Sequence, residues 1–150
     1  MDKEYSFIIV DDSELDCFVI QKVIERAFKN PDIVSYQNAN HALDAIKEQG
    51  VKTNPAIILL DIQMPLMNGF QFIEEFEQFS PQIQDCYTVI ILSILSSTRA
   101  PADIHTEFNK RIVGSIIEKP FTIEKLLALL KKMGLADEKT VLSRKKFLPE

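Results

Sequence analysis

Short apolar runs alternate with stretches whose apolar positions recur every three to four residues, and this alternation sets the first expectation for the fold. Apolar runs over 5–10, 33–36, 56–60, 88–95 and 112–117 read as five strands. Between them, Ile20, Val23, Ile24 and Ala27 recur at helical spacing, as do Phe72, Ile73, Phe76 and Phe79, and Ile123, Leu126, Leu127 and Leu130. A weaker helix rests on Ala42, Leu43, Ala45 and Ile46 and stops at Gly50, and 102–109 has only a faint helical pattern. Strands alternating with helices predict an α/β fold, a parallel sheet with helices on both faces. Local signals fit: Ser13 with Asp16 three residues on resembles a capping box, Asn68 and Thr122 are placed to cap helices, and Asn30-Pro31 and Gly134 to end them. The phenylalanine stripe is read as core packing against the sheet.

Where charge interrupts this pattern, candidate chemistry appears. The run Ala56-Ile57-Ile58-Leu59-Leu60 ends in Asp61, and Phe7-Ile8-Ile9-Val10 ends in Asp11 and Asp12. A carboxylate at the end of a buried strand is costly to desolvate and calls for a compensating cation or a chemical role. In an open parallel sheet the C-terminal strand ends share one edge, where ligands bind. Three acids converging there repel one another, and a hard divalent cation with oxygen ligands relieves the repulsion; Mg²⁺, which keeps water and pairs with phosphate oxygens, fits best.

Composition narrows the classes. The 150 residues, 46% hydrophobic, are enough for one well-buried domain, read as residues 1–134 followed by a tail or short extra helix over 135–150. A net charge of −5 argues against a nucleic-acid partner. Residues 131–150 are mildly basic, with six Lys/Arg against three Asp/Glu. Cys17 and Cys86 form no zinc or disulfide pattern and are read as free thiols. No apolar stretch reaches membrane-spanning length, and acids cut off the short N-terminal apolar run, so a cytoplasmic protein without a membrane partner is expected.

Taken in order, Asp11-Asp12 after the first strand, Asp61-Ile62-Gln63-Met64-Pro65-Leu66-Met67-Asn68-Gly69 after the third, a small hydroxyl residue after the fourth and Lys119-Pro120-Phe121 after the fifth resemble the receiver domain of two-component response regulators. The resemblance runs from about Tyr5 to Met133. It implies a doubly wound five-stranded parallel sheet in the flavodoxin-like order 2-1-3-4-5. It further implies that Asp61 is the phosphoacceptor and that Asp12 binds Mg²⁺ directly, with Asp11 acting mainly through water and the Gln63 backbone carbonyl completing the ligands. Lys119 would pair with Asp61 or its phosphoryl oxygens, and the Lys119-Pro120 bond would be cis. For the hydroxyl that follows the phosphoryl group, alignment back from Lys119 favours Ser96, with Ser93 as the alternative because Ser96 makes the fourth strand long. In the family an aromatic residue on the fifth strand rotates as that hydroxyl moves; Ile116 stands there, which puts the usual form of signal transmission in doubt. The resemblance also places Gln63 and Thr98 at variable positions that, in the family, tune how fast water removes the phosphoryl group.

The function implied is a stand-alone receiver in a phosphorelay, a signalling protein rather than an enzyme. It would take its phosphoryl group from a phosphohistidine of a sensor histidine kinase or histidine phosphotransfer protein. It would signal by binding an unknown downstream protein or by onward transfer. The face formed by the 102–109 segment, the fifth strand and the last helix is where receivers dimerise or bind partners. His41 and His105 lie in no phosphotransfer helix and are read as surface or loop residues. Two other readings compete: a receiver-like interaction module that works without phosphorylation, and a Mg²⁺-dependent phosphohydrolase of small phosphate esters. The second lacks the Asp-x-Asp spacing after the first strand and the chain for a substrate-capping domain.

Overall fold

The computed structural model describes residues 5–64, 66–93 and 111–134. Five strands, β1 (Ser6–Val10), β2 (Asp32–Tyr36), β3 (Ala56–Asp61), β4 (Tyr87–Ser93) and β5 (Val113–Glu118), form one parallel sheet in the order β2-β1-β3-β4-β5. The helices among the described residues are α1 (Glu14–Ala27), α2 (Ala39–Gln49), α3 (Gly69–Phe76), the single turn α4 (Pro81–Gln84) and α5 (Ile123–Lys132). This is the parallel α/β architecture the alternation predicts, in the doubly wound order the resemblance implies. The segment with the faint helical pattern over 102–109 and the tail over 135–150 lie outside the described residues.

Strand periodicity divides the core into two layers. Ile58, Leu60, Val89 and Ile91 face α2 and α3, meeting Ala42, Leu43, Ile46, Phe72, Ile73 and Phe76. Ile57, Leu59, Ile90 and Leu92 face α1 and α5, meeting Ile20, Ile24, Leu126, Leu127 and Leu130. All six residues of β3 are buried, which is why its sequence reads as a continuous apolar run rather than an alternation. The phenylalanine stripe is core: Phe72 and Phe76 are fully buried, and Phe76 meets Tyr87 edge to face at 5.9 Å between ring centres.

Several boundaries differ from the periodic reading. α1 ends at Ala27, before Asn30, which adopts φ 53°. α3 ends at Phe76, and Ser80 caps the separate turn α4 with Pro81 in its first positions. Four residues are too few to register as a period, although Ser-Pro is itself a helix-start signal. The capping box expected at Ser13 is half made: Ser13 Oγ accepts from the Asp16 N–H at 3.1 Å, but the Asp16 carboxylate is bonded to Lys119 instead. A complete box occurs at α3, where the Asn68 and Gln71 side chains and backbone N–H groups bond reciprocally.

Candidate phosphorylation site

Adjacent parallel strands bring the acids together. Val10 of β1 is in register with Leu60 of β3, so the next residues, Asp11 and Asp61, lie at the same level of the sheet's C-terminal edge. Asp11, Asp12 and Asp61 each offer a carboxylate oxygen within 4.8 Å of the others. Asp11 and Asp61 are buried, 1% and 5% exposed, whereas Asp12 is open to solvent.

Each buried carboxylate is held by its own local turn. Asp11 Oδ1 accepts the Ser13 N–H at 2.9 Å, and the Asp11 N–H donates to the Tyr36 carbonyl at 3.0 Å. Asp61 Oδ1 accepts the Gln63 N–H at 3.1 Å. Gly69 makes the second turn possible by close approach: a Cβ there would lie 2.8 Å from Ile62 Cα and 3.3 Å from the Asp61 carbonyl oxygen. The start of α3 is thereby drawn against the end of β3, with the Gly69 N–H donating to the Ile62 carbonyl at 3.1 Å.

Lys119 follows β5, its backbone N–H donating 2.8 Å to the Ser93 carbonyl, and the Lys119-Pro120 bond is cis. Its Nζ donates to Asp11 Oδ2 and Asp16 Oδ2, both at 2.9 Å, and lies 3.6 Å from Asp61 Oδ1. Burial alone would lower the Lys119 pKa, but the hydrogen bonds to Asp11 and Asp16 and the charges of Asp11 and Asp61 hold it well above the ordinary lysine range. The Asp61 pKa is raised as well, which for a carboxylate favours the neutral form. Burial raises it from an ordinary 3.8 to about 6; the Gln63 N–H and Lys119 partly oppose this, while Asp11 and Asp12 add to it. Crowded carboxylates with one cation among them form a site that a divalent ion would stabilise, and the all-oxygen donor set suits Mg²⁺.

Asp11, Asp12, Asp61, Gln63 and Lys119 are thus brought to one edge. Ser93 is the last residue of β4 and is buried. Ser96 and Thr98 lie outside the described residues, as does His105. Ile116 sits in β5, in register with Ile91 and partly buried. His41 is exposed in α2. Both cysteines are free, and burial, with Asp11 and Asp16 nearby, pushes the Cys17 thiol up to about 11. Sequence reasoning missed Asp16 as part of the site, having assigned its side chain to the helix cap.

The response regulator receiver domain family matches residues 7–131. The chain belongs to this family. A two-component response regulator of Arabidopsis thaliana is 31% identical over 127 residues, covering 85% of this chain and 82% of that protein. A protein-glutamate methylesterase/protein-glutamine glutaminase of Treponema pallidum is 35% identical over 121 residues, 81% of this chain, but the match spans only 28% of that protein. The crystal structure of a response regulator receiver protein from Dyadobacter fermentans superposes with a TM-score of 0.75 at 28% identity, covering 88% of this chain and 99% of that one. As a receiver, the chain is of a signalling family, and the acid cluster occupies the sheet edge where such α/β folds bind ligands. Among the described residues, no helix is long and apolar enough to cross a membrane.

Proposed function

We propose that this receiver is a phosphoacceptor in a two-component phosphorelay and that Asp61 carries the phosphoryl group. The observation that carries the reading is the convergence of three carboxylates with Lys119 placed among them. In the reaction an Asp61 carboxylate oxygen attacks the phosphorus of a phosphohistidine on a sensor kinase or phosphotransfer protein. A P–O bond forms, the P–N bond breaks, and the imidazole leaves as the neutral base after taking up a proton. Asp12, Asp11, Asp61 and the Gln63 carbonyl would hold Mg²⁺, which when bound supplies positive charge against the carboxylates and the transferring phosphoryl oxygens.

The chain's own groups define the remaining roles. The Gln63 N–H orients Asp61 through Oδ1. Lys119 is a compact cation on a flexible stem, suited to follow charge from carboxylate to phosphoryl oxygen. A hydroxyl that ends or follows the fourth strand in the sequence, Ser96 with Ser93 as alternative, would donate to a phosphoryl oxygen and report its arrival. Residues 1–134 form the receiver unit in this reading, with 135–150 an appended segment. Output is binding to a downstream protein or onward transfer, and the acidic net charge weighs against nucleic acid. Ile116 motivates the second reading, an interaction module independent of phosphorylation, because the residue that usually relays the hydroxyl's movement is aliphatic here.

Incubation with acetyl phosphate, with and without Mg²⁺, followed by intact mass of the parent and Asp61→Asn, tests the assignment. One added phosphoryl group that requires Mg²⁺ and is lost in the variant is expected. Equal labelling of Asp61→Asn would sink the acceptor, and no adduct together with no response to beryllofluoride would favour the interaction module.

A further inference from the structure

We infer that Asp16, on the first turn of α1, is a positioning residue that holds Lys119 back from Asp61 in the unphosphorylated protein and gives it up when Asp61 is modified. The inference rests on the phosphoacceptor reading above and names a control on that same site. Lys119 offers three N–H donors. Two are committed at 2.9 Å, one to Asp11 and one to Asp16, while Asp61 Oδ1 stands farther off at 3.6 Å. A phosphoryl group on Asp61 adds strong acceptors and negative charge, and Lys119 can answer it fully only by moving toward Asp61.

Burial decides which bond is surrendered. The Asp11 side chain is 1% exposed, so losing Lys119 would strand a desolvated carboxylate. The Asp16 side chain is 42% exposed, and water can replace the ammonium there. The Asp16–Lys119 pair borders an open groove of about 300 Å³, whose other walls include Val19, Ile20, Leu92 and Phe121, so solvent can reach Asp16 once the ammonium leaves it. Asp16 is therefore a competing counter-ion whose hold on Lys119 sets part of the cost of reaching the phosphorylated state. The Ser13 cap leaves it free for this, since the Asp16 backbone N–H bonds Ser13 while its carboxylate turns to Lys119.

The test is a ¹⁹F NMR titration with beryllofluoride at saturating Mg²⁺, comparing the parent with Asp16→Asn, Asp16→Ala and Asp16→Glu. Removing the charge should tighten beryllofluoride binding about 3- to 5-fold, the scale of a partly exposed ion pair. Asp16→Glu should return the midpoint to the parent's. Raising the salt from about 0.05 to 0.5 M should narrow the gap between parent and Asp16→Asn, because salt screens the pair that distinguishes them. Unchanged or weaker binding in both neutral variants, with the parent responding, would overturn the role of Asp16 and leave the phosphoacceptor reading standing. A parent that fails to bind beryllofluoride would overturn both.

Discussion

Replacing Asp61 by Asn should stabilise the metal-free protein, by an amount that the environment of the carboxylate sets. The rise from 3.8 to about 6 means that the folded protein prefers the neutral acid. At about 1.4 kcal/mol per pH unit, ionising Asp61 in the native state costs about 3 kcal/mol relative to the unfolded chain. Asn resembles the protonated acid in shape, and its Oδ1 can still accept the Gln63 N–H. Between pH 3.8 and 6 the native state retains a proton that the unfolded chain has released, so Asp61 lowers stability as pH rises through that window. Its full cost stands above pH 6 and vanishes below about 3.8. Urea unfolding in EDTA at pH 8 should therefore place the midpoint of Asp61→Asn about 1–1.5 M above the parent, taking a slope of about 2 kcal/mol per molar. The gap should shrink steadily as pH falls toward 4. Mg²⁺ should close it from the other side, because an ion that binds only the folded parent stabilises the parent by mass action. Equal midpoints at pH 8, or a gap that does not change with pH, would refute the claim that Asp61 is strained by burial and by neighbouring carboxylates.

Further expectations follow from the same geometry. Lys119→Ala leaves the buried Asp11 carboxylate without its cation and should destabilise the metal-free protein by about 2–3 kcal/mol, part of it restored by Mg²⁺; denaturation with and without the ion checks this. Gly69→Ala drives a methyl group to 2.8 Å from Ile62 Cα, so it should cost about 1–3 kcal/mol and slow labelling of Asp61, whereas Gly50→Ala, where nothing lies within 4 Å, should spare the labelling. The Cys17 thiol should resist a disulfide reagent at pH 8 until the protein unfolds, since both burial and nearby acids disfavour its thiolate; rapid modification of Cys17 in native protein would contradict this. Of Ser93→Ala and Ser96→Ala, the variant of the switch hydroxyl should keep Mg²⁺ binding but lose the phosphorylation-induced shift of the amides beside β4, as followed by NMR.

The acids of the site were legible because each breaks an apolar run, and a charge that ends a buried strand has few structural reasons to be there. The strand order was not readable from the periods themselves; it came with the resemblance, and the registers of β1 with β2 and β3 bear it out. Asp16 escaped notice for a different reason. Its partner lies 103 residues away, and its position three after Ser13 has a sufficient local explanation as a cap. A side chain with two possible partners, one local and one distant, cannot be assigned from spacing alone. α4 was missed through brevity, and the short strand β2 was found as the apolar run over 33–36.

The mounting of Asp61 divides the site by the way its parts open to solvent exchange. β3 is bonded on both sides, to β1 and to β4, and the ladder extends one step past the acid, where the Ile62 N–H donates to the Leu92 carbonyl at 3.1 Å. Amides up to Ile62 should exchange with deuterium only when the whole domain unfolds, whereas the Gln63 amide, held by the Asp61 side chain rather than by the ladder, should open by local fluctuation. The residue that would accept a phosphoryl group thus ends a strand paired on both sides, and the backbone that would adjust around the group begins where that pairing stops. A receiver built in this way can relax around its modified residue within milliseconds without loosening the frame that holds it.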